Sequence, residues 1–232
     1  GDWTSQTTES AVVAKDPELD LGESTIFLVD RPGSAQSVIR AVHPTIPRSD
    51  ADYFGFTLLN YAFGGQFSAR LNQNLRQDKG YSYGYNSTVQ WYRGRSLLMA
   101  GGSVQTEVTK ESVVETLKEF NDLRGPRPIT HEELDTAKAG LLLGYPASFE
   151  RPGLVLNHLL QMVLFDLPSD YFQTMPSKLE EVTLDDIAGI SSRHINPGGL
   201  QILVVGDGQK VESGLRELGL PMVHLDVDGL VL

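Results

Sequence analysis

The chain has 232 residues, 40% of them hydrophobic, no cysteine and a formal net charge of −11. Such a length can bury a core without staples, and the missing cysteines exclude a disulfide scaffold and a thiolate zinc site. The acidic balance argues against nucleic acid and anionic membranes, which need basic surface, and apolar runs such as LLQMVLF (159–165) are too short to span a bilayer.

Residues 1–23 are polar and read as an irregular linker. They show neither an initiator methionine nor a signal peptide, so the chain reads as a piece of a longer one. From 24 onward the elements alternate. STIFLVD (24–30) and SVIRAVH (37–43) are β-rich runs joined by the turn RPGS, where Pro32 and Gly33 suit the bend. RSDADYFGFTLLNYAFGG predicts a helix capped by Ser49 or Asp50. Phe54, Leu58 and Tyr61 share a face, and Gly64 ends it. A second short helix is expected over 67–78, with Phe67, Leu71 and Leu75 on one side and Gly80 as its stop. Strands near 81–91 and 96–104 form a hairpin through YRGR, with Gly94 free to take positive φ.

The second half is mainly helical. Residues 109–123 place Val113, Val114, Leu117 and Phe120 on one face. THEELDTAKAGLLLGY opens with a capping box of Thr130 and Glu133, and VTLDDI repeats the logic with Thr183 and Asp186. ERPGLVLNHLLQMVLF is a further helix, interrupted at its start by Pro152. LQILVVGD (200–207) is a buried strand, followed by a short helix near 209–218 and a last strand, MVHLD (222–226). No internal linker or repeat divides 24–232, which reads as one α+β domain.

Metal and nucleotide motifs are absent. No two of His43, His131, His158, His194 and His224 have helical ligand spacing. HEELD (131–135) has Asp135 where a zincin needs histidine, and the inverted His-x-x-Glu-His pattern occurs nowhere. The capping box explains Glu133 without a metal. His158 on an apolar helix reads as a core or half-buried residue, and His194 as a partner of a helix end. AFGGQFS and VVGDGQK lack the spacing of a phosphate loop, and no Gly-x-Ser-x-Gly elbow is present.

LRQDKGYSYG (75–84) is less easily dismissed. In a strand starting at 81, Tyr81, Tyr83 and Tyr85 share a face. Arg76 sits in the last turn before the break. A tyrosine hydroxyl can donate to an oxyanion, and an arginine can bind a carbonyl or carboxylate. A cross-strand tyrosine ladder, with Arg76 at a helix C-terminus, accounts for the same spacing.

The wider run resembles the pitrilysin, or insulinase-type, zinc metallopeptidases. The residues that carry the resemblance are Asn60, Phe63-Gly64-Gly65, Phe67-Ser68-Ala69-Arg70-Leu71 (a near match), Leu75-Arg76 and Lys79-Gly80 with Tyr83. THEELDTAKAGLL, VTLDDI and the opening Gly-Asp-Trp resemble flanking segments, so the likeness covers nearly the whole chain and is sharpest over 50–84. The family is built from tandem repeats of one α/β domain, of which only one carries the zinc motif. The resemblance therefore implies the non-zinc repeat, with a mixed, mostly antiparallel sheet and helices mainly on one face. It implies that Arg76 binds a substrate carbonyl and Tyr83 stabilises an oxyanion or carbonyl. No metal or other cofactor is expected in this chain. Zinc is expected in a partner domain or subunit of the same family, with an unfolded peptide as substrate and no nucleic acid or membrane insertion. A bacterial periplasmic or secreted setting follows from the resemblance alone. An inactive structural subunit or a peptide-binding module of the same fold is the competing reading.

Overall fold

A computed structural model of the chain describes residues 22–232. The linker reading falls almost wholly outside these residues, and the Gly-Asp-Trp resemblance does so entirely. Alternate residues of the strands are buried, as period-2 patterning requires. β1 (Thr25–Asp30) buries Ile26 and Leu28. β2 (Gln36–Thr45) buries Ile39 and Ala41, and β5 (Gln201–Gly206) buries Ile202 and Val204. With β3 (Ser82–Gln90), β4 (Ser96–Gln105) and β6 (Met222–Leu225) they form one sheet in the order β3-β4-β2-β5-β1-β6. β1 runs parallel to β5 and β6, and the other pairs are antiparallel. The sheet is thus mixed and mostly antiparallel, and β3 is an edge.

The buried face of the sheet merges with the helices into one apolar cluster that includes Phe56, Phe63, Leu71, Phe120, Leu134 and Ile187. α1 (Tyr53–Asn60) continues as a π-helical turn over Tyr61–Gly65. Its N-cap is Asp52, with neither Ser49 nor Asp50 in that role; Asp50 Oδ1 instead accepts the Asp52 N–H at 2.8 Å. α2 is short (Arg70–Asn72) and also widens into a π turn, Gln73–Asp78. Leu71 and Leu75 are buried as expected, but Phe67 precedes the helix and is 64% exposed. α3 (Thr109–Arg124) buries Val113 and Phe120, whereas Val114 faces solvent. Its inward stripe is completed by Ser112, Thr116 and Glu119. Gly33 and Gly80 adopt positive φ, but Gly94 does not.

α4 (His131–Gly144) and α7 (Leu184–His194) begin with the expected capping boxes on Thr130/Glu133 and Thr183/Asp186. α5 spans Pro152–Phe165, with Pro152 at its tolerated first position. α6 (Tyr171–Glu181) is an element that sequence patterning does not reveal, because Pro176 sits inside it. A proline at that position leaves the carbonyl of Phe172 without its helical donor. The Tyr145 hydroxyl donates to that carbonyl instead, so the helix continues through the proline. α8 (Gly208–Arg216) packs beside β1 and leads to β6. Among the described residues no helix is long and apolar enough to cross a membrane.

Candidate functional site

The two π turns deliver the resemblance residues to one place. The first carries Gly64 against the edge strand: a Cβ there would lie 2.5 Å from Ser87 Oγ, 2.6 Å from the Ser87 nitrogen and 2.7 Å from Leu71 Cδ1. Only glycine permits that approach. Asn60 fixes the same junction, its Oδ1 accepting from Ser87 Oγ at 2.7 Å. Asn72 closes the next step. Its Oδ1 accepts the Tyr85 N–H at 3.1 Å, and its Nδ2 donates to Phe67 O at 2.7 Å. The middle of the β3 edge is therefore covered by side-chain and helical contacts, one of the ways an edge strand avoids pairing with another chain.

The three tyrosines do not share a face. Tyr85 is fully buried and Tyr83 is 91% exposed. The cause is a register shift between Ser82 and Tyr85 where β3 pairs with β4, the signature of a bulge. The Ser82 hydroxyl pins it, lying 2.7 Å from Ser103 O, 2.8 Å from Gly84 O and 3.1 Å from Gly84 N. Tyr83 is thereby turned outward, and its hydroxyl makes no hydrogen bond with the described residues.

Tyr83 lines an open cleft of about 330 Å³ with Gly65, Gln66, Phe67, Asn86 and Thr88. Arg76, in the second π turn, reaches its rim by stacking on Phe67, with the guanidinium carbon 4.3 Å from the ring centroid. Its cationic neighbours are already engaged. Lys79 pairs with Glu115 at 3.1 Å, which raises the lysine pKa. Arg70 is 5% exposed and pairs with Glu133, donating also to the carbonyls of Arg127 and Pro128. Arg76 forms no ion pair or hydrogen bond with the described residues. The site thus offers one guanidinium stacked on Phe67 and one phenol lining the same cleft as Phe67, neither with a hydrogen-bond partner among the described residues. Both residues singled out from the sequence stand there, while Phe67 and the bulge at Ser82 are additions from the structure.

The histidines have other duties. His131 is exposed, and Glu133 is held by Thr130 and Arg70, so HEELD does not fit a zinc ion. Burial raises the Glu133 pKa, but hydrogen bonds from Arg70 and Thr130 outweigh it and hold the carboxyl below its usual range. Asp50, Asp52 and His194 are the only group of three or more metal-type ligand residues close together among the described residues. Asp52 Oδ2 is already bound by His194 Nε2 and Arg193 Nη2, both at 2.7 Å. VVGDGQK is likewise occupied: the first amide of α8, Gly208 N–H, donates to Asp30 Oδ1 at 2.7 Å.

Comparison with known proteins follows the same residues. The family model described as Peptidase M16 inactive domain matches residues 1–141. The chain belongs to this family. It is 24% identical over 158 residues to the non-peptidase homolog YmxG of Helicobacter pylori, covering 66% of this chain and 35% of that protein. The crystal structure of a peptidase M16 inactive domain from Pseudomonas fluorescens superposes with a TM-score of 0.72 at 24% identity, over 79% of this chain and 43% of the other. A chain of complex III2 from Candida albicans gives 0.69 at 12% identity, over 84% and 49%. The chain spans about a third of its curated relative's length, and under half of these two structures' chains. At such identities the structures speak for the fold. As an M16 inactive domain, the protein is a non-catalytic, peptidase-like domain of the pitrilysin type.

Proposed function

We propose that this M16 inactive domain is the non-catalytic half of a zinc metalloendopeptidase. It lends Arg76 and Tyr83 to a peptide cleft shared with a zinc-bearing domain or subunit of the same family. The observation that carries this reading is the pair of unspent donors around Phe67, on a surface whose other cations are paired. A peptide lying along the cleft would meet the Arg76 guanidinium at one carbonyl. It would meet the Tyr83 hydroxyl where charge gathers on the attacked carbonyl, the position at which a preorganised donor contributes most. The metal and the general base would belong to the partner.

A second reading, a peptide-binding or structural domain without catalysis, draws on the relative described as a non-peptidase homolog and on the complex III2 chain. The two readings separate in an assembled peptidase containing this domain. Tyr83→Phe is expected to lower kcat by roughly 10²–10³ with the fold unchanged. Arg76→Ala is expected to raise KM more than it lowers kcat, because its contact already exists in the ground state. Full activity of both variants would overturn the peptidase reading. The chain by itself is expected to hydrolyse no peptide and to retain no stoichiometric zinc. Elemental analysis after purification without chelators checks the second point, and one tightly held zinc per chain would contradict it.

A further inference from the structure

Arg48, in the connection between β2 and α1, is 4% exposed and has no counter-ion among the described residues. Its backbone N–H is anchored on Tyr92 O at 2.9 Å. Its guanidinium carbon lies 3.5 Å from the Tyr53 ring centroid, 4.9 Å from that of Tyr171 and 5.6 Å from that of Phe165. Among the described residues the side chain makes one hydrogen bond, from Nη2 to the Tyr171 hydroxyl oxygen at 2.5 Å. Burial pushes the Tyr171 phenol well above its ordinary pKa, so this partner is neutral. No carboxylate of the described residues pairs with Arg48. A guanidinium that is almost wholly enclosed, with donors left over at a cavity and no opposite charge among the described residues, favours an anion there.

Arg48 lies at the junction of two cavities. One, of about 550 Å³, sets Asp50, Asp52, Glu181 and Asp186 against Lys178 and Arg48 itself, a net negative wall that disfavours an anion. The other, of about 380 Å³, lies among α1, α4, α5 and α6. Its walls include Phe54, Leu141, Phe172 and Met175, and Arg48 is its only Arg, Lys, Asp or Glu. A buried nitrogen without a partner among the described residues also stands on this wall. His158 Nε2 meets Ser148 Oγ at 3.0 Å, but the buried Nδ1 has no partner among the described residues. The volume is in the usual range for small-molecule sites, and so is the pattern of apolar walls with a few polar groups. α5, which forms one side, has no buried residue of its own, so this wall is the least constrained boundary of the cavity.

We propose that this second cavity binds a small monocarboxylic acid with an aromatic or apolar body. The carboxylate sits on Arg48 and the body lies against Phe54, Phe172 and Met175. The planar guanidinium matches a carboxylate in a two-bond fork, and the surrounding rings suit a flat partner. This site is separate from the Arg76–Tyr83 cleft and does not depend on its role.

The probe is 3-phenylpropionate, titrated into the intact chain with calorimetry and the Met175 methyl resonance as readouts. Saturable one-to-one binding is expected. The neutral analogue 3-phenylpropionamide should bind about 10–100-fold more weakly, the usual cost of losing hydrogen bonds to a charged group. Arg48→Met should weaken the acid by the same factor. Because that change also disturbs packing, Gln161→Trp provides an independent arm. Gln161 lines the cavity and makes no hydrogen bond with the described residues, so an indole there takes up the space while Arg48 itself is left unchanged. Binding should vanish in Gln161→Trp while the melting temperature is kept. No saturation at millimolar acid, equal binding of acid and amide, or binding that survives Gln161→Trp would overturn the proposal.

Discussion

The Tyr85 hydroxyl shares a 2.7 Å hydrogen bond with Thr116 Oγ1, whose own proton is directed to Ser112 O at 2.7 Å. Tyr85 is therefore the donor of the pair, and burial pushes its pKa up to about 12, so it stays protonated. Tyr85→Phe removes that donor inside the core and is expected to cost about 1 kcal/mol. Tyr83, two residues earlier, touches solvent on nearly every side. Tyr83→Ala is expected to change stability by less than about 0.5 kcal/mol, whatever it does to function. Urea unfolding of the two variants checks this contrast. Similar losses in both would mean that Tyr83 packs against something and is not held free for a peptide.

At the scale of elements, the π turns and the bulge shape the cleft, and each hangs on a close contact. Gly64→Ala forces a Cβ to within 2.6 Å of the Ser87 backbone nitrogen, which cannot swing aside as a side-chain tip can. It is expected to cost about 1–3 kcal/mol and to loosen the stack of Arg76 on Phe67, measurable as a lower melting temperature. The strands, the helix starts at Thr130 and Thr183, the stop at Gly80 and the turn at Gly33 are legible in the sequence because each depends on neighbours in the chain. α6 is not, because the group that rescues the Phe172 carbonyl, Tyr145, is 27 residues away. Nor is the burial of Tyr85, since the bulge is tied to Ser103 on the next strand. Spacing alone left Arg76 and Tyr83 open between a ladder and a site, and it was the family resemblance that singled them out. The Arg48 cavity needs four helices to exist, and no local pattern announces it.

For the whole molecule, acid stability rests on groups whose pKa differs between the folded and unfolded chain, and among those with a clear shift His43 is the one whose unfolded-state titration lies closest to neutral pH. It is buried on β2, and its Nε2 accepts the Asn196 N–H at 3.0 Å, joining the sheet to the segment after α7. Burial lowers its pKa from the ordinary 6.5, with smaller opposing contributions from its backbone hydrogen bonds. The unfolded chain therefore takes up a proton at this histidine at a higher pH than the folded one does. The stability it contributes is complete above pH 6.5 and is lost as the pH falls through that value towards the lower folded one. Protonation would also place a donor against the Asn196 N–H and break the bond. Asp52, Glu115 and Glu133 act further down. Burial raises each, but Arg193 and His194, Asn74 and Lys79, and Arg70 and Thr130 respectively outweigh it and hold the carboxyls low. Their contributions are present above the ordinary carboxylate values of 3.8–4.5 and fade below them. Between about pH 5 and 6.5, where the unfolded histidine charges and carboxylates do not, His43 should govern the slope. His43→Gln keeps an acceptor for Asn196 but cannot titrate. It is expected to be about 1–2 kcal/mol less stable than the parent at pH 7.5, from imperfect packing. Its stability should then fall less steeply, so the gap narrows towards pH 5. Urea unfolding at four or five pH values decides the matter. Parallel profiles for parent and variant would show that His43 is not the group that couples folding to pH in this range.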